Sequence, residues 1–303
     1  MAAVHRPLVE RGLEVKKIGN LVLETIGGRA IHPVNVKVGG FFRVPTRREL
    51  EPLREQLVRG LEMSIDIVDW VGGFDFPDQE MAYEFVSTSH PNEYPIMGDR
   101  VVSDRGLDID VAEFLNHVEE YQVEHSTALQ AHLLERGEYL VGPLARYSLF
   151  SERLAPAAAE AARRAGLGPT CHNPFRSIIV RAVEVVHAFE IAIAVIDGWE
   201  QPSHAAVEIV PRAGVGHGVT EAPRGLLYHR YEIDPDGLIA DAVIIPPTSQ
   251  NQATIEHDLW HFVEHHLDLD DEELRQRAEV TIRNHDPCIS CATHFLDLTV
   301  VRE

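Results

Sequence analysis

Residues 226–245 read LLYHRYEIDPDGLIADAVII and predict an antiparallel β-hairpin. One strand-like run extends from Leu226 to Ile233, a second extends from Leu238 to Ile245, and Asp-Pro-Asp-Gly lies between them. Proline and glycine at these positions are typical of a tight turn that joins two strands. Because a hairpin returns its chain to where it began, the segments on its two sides are expected to lie side by side.

Those flanking segments are Glu221–Gly225, with the sequence EAPRG, and Pro246–Asn251, with the sequence PPTSQN. Their prolines stiffen the backbone and remove N–H donors, which leaves Arg224 and Thr248 as polar groups on a rigid, apolar wall. A guanidinium and a hydroxyl placed in this way suit a small anionic ligand. The alternative is that Arg224 pairs with a carboxylate, either Glu221 or Asp286, for structural reasons alone.

Most of the remaining sequence shows helical periodicity. The helices are predicted at 8–25, from Thr46 as N-cap to about Trp70, and at 110–119, 151–165, 174–197, 250–266 and 271–285. The apolar helix at 174–197 is expected to be buried on most sides. We therefore predict a mainly α chain with a small β hairpin or sheet (α+β), folded as a single domain over residues 1–303.

Composition excludes several classes of function. The formal net charge of −21 argues against nucleic-acid binding, because the phosphate backbone favours basic surfaces. No stretch of the sequence reaches the apolar length of a membrane span. The first residues show no apolar core of a signal peptide, so we expect a cytoplasmic protein with reduced thiols.

Near the C-terminus, Asp286–His294 reads DPCISCATH and places two thiols three residues apart. Thiolates at this spacing can bind one soft or borderline metal ion. A disulfide, a redox pair and half of a structural zinc site are the alternatives. Thiolate-bound metals usually take four donors, and the chain has three cysteines in all. The run is therefore half of a metal site or a site that no longer operates.

A second candidate for metal binding is a histidine stripe. His257, His261 and His265 recur every four residues on one predicted helix. Such a stripe can bind zinc or nickel, which would suit a metal-binding or scaffold protein without redox turnover. The alternative is an ordinary solvated helix face.

Several ordered motifs together resemble the large, catalytic subunit of nickel–iron hydrogenases, in particular the cytoplasmic bidirectional and sulfhydrogenase-type branch. The motifs that carry this resemblance span nearly the whole sequence in family order: Gly27–Pro33, Asn173–Ser177, Glu221–Gly225, Pro246–Asn251 and Asp286–His294. The resemblance implies a large-subunit-like fold and reversible, heterolytic cleavage of H2.

The resemblance also implies roles for individual residues. Cys288 and Cys291 match the C-terminal pair of nickel ligands, with Cys291 matching the thiolate that bridges nickel and iron. Arg224 matches the arginine above the open coordination site, where it contacts a cyanide on iron. Asp286 matches the carboxylate that orients this arginine, and Thr248 matches the hydroxyl residue that hydrogen-bonds the other cyanide.

Further residues and components follow from the same resemblance. Pro223 and Pro247 would shape the pocket around the carbonyl and cyanide ligands of iron, and His294 matches a ligand of a C-terminal Mg²⁺ or Fe²⁺. In many family members a maturation endopeptidase cuts just after this histidine. The expected partners are an iron–sulfur small subunit and diaphorase subunits that use NAD(P), because this chain has no cysteines for an iron–sulfur cluster.

The sequence departs from the family pattern in one respect. The family's other two nickel thiolates lie in an Arg-x-Cys-Gly-x-Cys motif, which this sequence lacks, and Cys171 matches no ligand position. We expect a C-terminal portion of the family fold, N-terminally truncated and incomplete for catalysis as it stands. The alternative is a non-catalytic metal-binding or scaffold relative.

Overall fold

The computed structural model describes residues 4–287. In these residues the α-helices are α1 Arg6–Gly27, α2 Arg47–Gly72, α3 Pro143–Phe150, α4 Pro156–Arg164, α5 Ser177–Asp197, α6 Pro247–Glu264 and α7 Asp271–Arg283. The strands are β1 Val36–Lys37, β2 Gly40–Phe41, β3 Val86–Ser89, β4 Met97–Gly98, β5 Arg100–Ser103, β6 Asp108–Asp110, β7 Val118–Gln122, β8 Leu129–Leu133, β9 Gly214–Ala222, β10 Gly225–Ile233 and β11 Ile239–Ile245. Short 3-10 helices occupy Val111–Asn116, Ser151–Arg153 and Pro174–Arg176.

The chain divides into two compact units, and the first is largely helical. It comprises Met1–Phe74, Leu154–Leu167 and Arg181–Pro211. Its core is formed by apolar residues of α1, α2 and α5, among them Ile18, Leu57 and Phe189. Thr46 is the N-cap of helix α2, and its backbone N–H and hydroxyl both donate to the Glu49 carboxylate at 2.8 Å. The Glu49 carboxylate therefore satisfies the Thr46 N–H, which would otherwise lack a partner at the start of the helix.

The second unit contains the larger sheet and the residues of the candidate site. It comprises Asp75–Arg153, Gly168–Val180 and Arg212–Glu303. Four antiparallel strands follow the order β11-β10-β9-β4. Leu226, Tyr228 and Ile245 of this sheet are buried, and the ring of Phe114 stacks on Tyr228 at 4.5 Å. This apolar layer holds the ends of β9, β10 and β11 in place.

The predicted hairpin is confirmed as β10 and β11, with Tyr228 opposite Ile245 and Glu232 opposite Asp241. The helices predicted at 8–25, from Thr46 to about Trp70, at 250–266 and at 271–285 are also confirmed, as α1, α2, α6 and α7. The α+β class holds, but the sheet is larger than one hairpin. Strand β9, which starts in the glycine-rich run at Gly214, was not predicted because glycines carry no alternating side-chain pattern.

Three helix predictions were wrong in detail. The helix predicted at 151–165 is divided into a 3-10 helix, Ser151–Arg153, and α4, which begins at Pro156. Residues 110–119 do not form one α-helix, because a 3-10 turn ends at Asn116 and Val118 begins β7, which pairs with β8. Helix α5 is less buried than expected, since Ile191 and Val195 are exposed. Within residues 4–287, no helix combines the length and the apolar character that crossing a membrane requires.

Candidate metal-centre surround

Arg224 lies in the two-residue turn between β9 and β10. Ala222 pairs with Gly225 across the ladder, so Pro223 and Arg224 form the tip of this hairpin. Gly225 has φ +135°, and a Cβ at this position would lie 2.4 Å from a methyl group of Val141. Glycine is therefore required here, because the turn presses against the backbone of the Val141 segment. This close approach fixes where the arginine leaves the sheet.

A buried ion pair anchors the base of the same turn. Arg146 of α3 donates to the Glu221 carboxylate at 2.8 Å, and the two side chains are 5% and 2% exposed. Arg146 also donates to the carbonyls of Ala222 and Pro223, at 2.9 and 3.1 Å. One guanidinium therefore binds three consecutive residues that precede Arg224.

Burial dominates the electrostatics of Glu221. Desolvation raises the pKa of the Glu221 carboxyl above its usual value, and the Arg146 charge opposes this shift. The backbone N–H of Thr88 and the hydroxyl of Ser87 also donate to the Glu221 carboxylate, at 2.9 and 3.0 Å. These contacts remove one alternative for Arg224, because Glu221 is bound by Arg146 instead.

Arg224 binds Asp286. Its Nε donates to the Asp286 carbonyl at 2.5 Å and lies 3.3 Å from the Asp286 carboxylate oxygen Oδ2. Asp286 has φ +46°, a left-handed backbone conformation that is uncommon outside glycine. Both contacts use Nε, so the two terminal amino groups of Arg224 carry no hydrogen bond to any residue in 4–287. The expected Arg224–Asp286 pairing is present in the structure.

The segment that follows the hairpin forms the first turn of α6. Pro246 is the N-cap, Pro247 is buried, and Thr248 is partly buried in this turn. Asn251 accepts from the Val141 N–H at 2.8 Å and donates to the carbonyls of Val141 and Arg224 at 3.1 and 3.4 Å. The two segments that flank the hairpin therefore lie side by side, as predicted.

Three separate elements hold the segment that leads to the cysteine motif. Ser177 donates to the Asn284 carbonyl at 2.5 Å. The next residue, His285, contacts Asp258 of α6 at 2.8 Å, and Asp286 is held by Arg224. The predicted metal ligands Cys288, Cys291 and His294 lie outside the described residues.

The other metal candidates within residues 4–287 are not assembled into a site. No group of three or more histidine, cysteine, aspartate or glutamate side chains in this range could hold a metal ion. His257 contacts Glu138, while the rings of His261 and His265 lie 4.3 Å apart. Cys171 is buried, and burial raises the pKa of its thiol, so this residue has packing rather than reactive character.

Sequence reasoning missed Arg146 and Asp258, which hold the two segments of the site. The signal for Arg146 was available, because a single arginine interrupts the apolar run around α3. A buried arginine requires an acidic partner, but its identity as Glu221 depends on tertiary structure. Asp258 carried no such signal, since it lies among other polar residues of α6.

Comparison with known proteins identifies the family. The family model described as "Nickel-dependent hydrogenase" matches residues 174–294, which include Arg224, Asp286 and the cysteine motif. Sulfhydrogenase 1 subunit alpha of Pyrococcus furiosus is 30% identical, over 98% of this chain and 70% of its own length. The chain therefore belongs to the nickel-dependent hydrogenase family.

Other relatives are consistent with this assignment. The NAD-reducing hydrogenase HoxS subunit beta of Cupriavidus necator is 28% identical, over 95% of this chain and 66% of its own length. Among solved structures, an NAD+-reducing NiFe hydrogenase in the H2-reduced state superposes with a TM-score of 0.83 at 26% identity. That match covers 97% of this chain and 70% of the solved one. The α+β fold is that of a hydrogenase large subunit.

Proposed function

We propose that this chain supplies the C-terminal portion of the catalytic subunit of a nickel–iron hydrogenase, an oxidoreductase that cleaves H2 reversibly and heterolytically. The observation that carries the proposal is the pairing of Arg224 with Asp286, because Asp286 lies two residues before Cys288 in the sequence. Asp286 fastens the arginine through Nε alone. No residue in 4–287 binds the terminal amino groups of Arg224, and we assign these groups to a ligand of the metal centre.

The donor set of this sequence fits part of a nickel–iron centre. Cys288 and Cys291 supply two of the four thiolates, which are soft donors suited to nickel. When bound, the centre supplies the cleavage of H2. The hydroxyl of Thr248 and the guanidinium of Arg224 would each hydrogen-bond a cyanide on iron. Pro223 and Pro247 would contribute apolar surface around the carbonyl and cyanide ligands.

The described residues orient the side chains proposed to surround the metal centre and limit their motion. Arg146 binds the Ala222 carbonyl and Asn251 binds the Arg224 carbonyl, so the backbone around Arg224 is held in place. Little backbone entropy is therefore lost when the guanidinium binds a ligand. Asp286 balances the arginine charge and orients its planar group. This arrangement is an outer-shell support of the kind that tunes metal ligands.

The remaining components of the proposal rest on the family. His294 would bind a C-terminal Mg²⁺ or Fe²⁺, with maturation by an endopeptidase after this residue. An iron–sulfur small subunit would accept the electrons, and diaphorase subunits would pass them to NAD(P). The NAD-reducing relative supports a partner of this kind. We place the assembly in the cytoplasm.

Metal analysis of the protein from its native source, together with an intact mass, tests this function. We expect about one nickel per chain, with iron in excess of nickel because the iron–sulfur subunit accompanies the chain, and H2-dependent reduction of a dye in the same fractions. Arg224→Lys should retain both metals and lose most of the turnover, because lysine lacks the second amino group and the planar fork. Native protein without nickel would favour the non-catalytic alternative.

A further inference from the structure

One edge of the four-stranded sheet is left open over half of β9. Strand β4 covers the other half of this edge by pairing with Val219 and Thr220. After β4 the chain leaves the sheet, because β5 pairs with β3 and β6 instead. Within residues 4–287, no strand pairs with this side of β9 between Gly214 and Gly218. We call the stretch Gly214–Gly218 the open edge.

Backbone hydrogen-bonding groups point outward from the open edge. The Glu221 N–H donates to the Ile96 carbonyl at 2.7 Å, on the side of β9 that faces β4 and not β10. Alternate residues of an antiparallel strand direct these groups to the same side, so Val215 and His217 also present their N–H and C=O groups away from β10. Such a row of unpaired groups is a template for a further strand.

The open edge lacks the features that usually protect the edge of a sheet. Its sequence is Gly-Val-Gly-His-Gly, without proline, lysine or a carboxylate. The register between β9 and β10 runs from end to end without a shift, so no bulge turns this edge away. Proline, charged side chains and bulges are the common obstacles to strand addition. An added strand therefore meets none of them here.

The glycines of the open edge also form a shallow trough on one face of the sheet. Tyr228 packs in the core, so His229 and Tyr231 lie on the opposite face, where His229 Nδ1 is 2.9 Å from the Tyr231 hydroxyl. Gly218 pairs with His229, and Gly216 pairs with Tyr231. A Cβ at either glycine would meet nothing within 4 Å. Large side chains of an added strand can cover this glycine trough and contact both rings.

The surroundings of the open edge are acidic. The edge begins beside the turn of the β10–β11 hairpin, because Gly214 pairs with Ile233. In this acidic turn, Asp234 and Asp236 contact no basic side chain of residues 4–287, and Arg230 is already bound by two other carboxylates.

The wider charge distribution has the same sign. The unit that contains this sheet holds 33 of the 48 acidic residues of the chain and 13 of its 27 basic residues. Like charge opposes the approach of a second copy of this unit, whereas a basic segment is attracted. Charge complementarity therefore favours a basic partner at the open edge.

We propose that the open edge binds an extended, basic segment of a partner protein. The segment adds to β9 as a further strand, next to β4, and exchanges hydrogen bonds with the backbone of Val215 and His217. Its large apolar side chains cover the glycine trough, and its lysine or arginine side chains lie towards the acidic turn. Backbone pairing supplies the affinity, while the trough and the carboxylates supply the specificity. This binding requires no metal and is independent of the proposed function.

Three synthetic peptides test the chemistry of the partner. The probe is a short peptide that alternates lysine with valine and phenylalanine, titrated into the full chain and followed by calorimetry. One matched peptide has glutamate in place of each lysine, and the other has N-methyl groups in place of its backbone N–H groups. We expect the lysine peptide to bind at least about tenfold more tightly than either matched peptide, and its binding to weaken with added salt.

Substitutions at Val215 test the place of binding. Val215→Pro removes one outward N–H and puts the proline ring at the edge, while the bonds from Gly214 and Gly216 to β10 remain. Val215→Thr keeps the N–H and a β-branched side chain, so it is the matched control. We expect Val215→Pro to weaken binding of the lysine peptide by about tenfold or more, and Val215→Thr to leave it within about twofold.

A third variant does not touch the strand. Asp236→Asn removes a charge from the acidic turn, where asparagine is well tolerated, and should weaken binding of the lysine peptide by about threefold. Absence of binding by the lysine peptide, equally tight binding of the glutamate peptide, or unchanged affinity in Asp236→Asn overturns the proposal. So does equal binding by Val215→Pro and Val215→Thr when circular dichroism shows both to be folded. A dimer of the full chain that Val215→Pro dissociates would assign the open edge to a second copy and also overturn it.

Discussion

Replacing Arg146 by methionine tests how the base of the arginine-bearing turn is held. The guanidinium donates to Glu221 at 2.8 Å and to the carbonyls of Ala222 and Pro223. Methionine has a similar length and apolar character, but it supplies no charge and no donor. The variant leaves the Glu221 carboxylate buried and unpaired, with its side chain 2% exposed.

The magnitude follows from the loss of one partner of a buried ion pair. Removing a single partner usually costs about 3–5 kcal/mol, because the remaining charge stays desolvated. We therefore expect Arg146→Met to lower the free energy of unfolding by about 3–5 kcal/mol at pH 8. Glu221→Gln retains hydrogen-bonding atoms and should cost about 1.5–3 kcal/mol. The double variant should cost less than the sum, since no buried charge remains.

The effect of Arg146→Met should depend on pH with a definite sign. Burial raises the pKa of Glu221, and removing the guanidinium leaves this shift unopposed. Below the usual carboxyl pKa the group is protonated in both the folded and the unfolded state, so it imposes no charge penalty. As pH rises towards the raised folded pKa, only the unfolded state ionises freely, and stability falls. The loss should therefore be smaller at pH 5 than at pH 8.

Urea unfolding followed by circular dichroism at both pH values measures these quantities for the wild type and the three variants. Equal losses for Arg146→Met at pH 5 and pH 8 would refute the presence of an uncompensated carboxylate. Strict additivity of the two single substitutions would refute the pairing of Arg146 with Glu221.

Three other predictions concern the glycine contact, the helix cap and the arginine. Gly142→Ala should lower the free energy of unfolding by about 2–3 kcal/mol in urea unfolding, because φ is +104° and a Cβ would lie 2.5 Å from the Arg224 carbonyl oxygen. The control is Gly137→Ala, which has open space around it and should cost about 1 kcal/mol. Thr46→Ala should cost about 1 kcal/mol by the same assay. An NMR titration should place the pKa of Glu49 at about 2, because the Thr46 N–H donates to the Glu49 carboxylate. The ionised Glu49 carboxylate therefore stabilises the fold above pH 4.5, and this stabilisation is lost as pH falls towards 2. Arg224→Ala should leave the far-ultraviolet circular dichroism unchanged while abolishing H2-dependent dye reduction in the complete enzyme produced in its native source.

Local signals in the sequence predicted much of the secondary structure. The Asp-Pro-Asp-Gly turn, the glycine pair after α1 and the Thr46 cap each specify their own conformation within a few residues. Helix α5 shows where such signals fail, because apolar composition does not reveal which neighbours cover a helix. Strand β9 was missed for a related reason, since it is specified by pairing with β10 and not by its own side chains.

The candidate site was likewise only partly predictable from local sequence. The hairpin argument alone placed Arg224 beside the first turn of α6, which the Asn251 contact to its carbonyl confirms. The choice of Asp286 over Glu221 as its partner was left open by the sequence. It depends on Arg146, which reaches Glu221 from 75 residues away along the chain. Such long-range charge pairing is set by packing, so no local pattern reveals it.

The most direct test of the account is the nickel content of Cys288→Ser and Cys291→Ser variants produced in the native source. Both thiolates are proposed ligands, and a serine hydroxyl is a hard, weak donor for nickel. The account predicts nickel close to equimolar with wild-type protein and near the background level in both variants, with folding unchanged by circular dichroism. Nickel retained at the wild-type level in either variant would contradict the account.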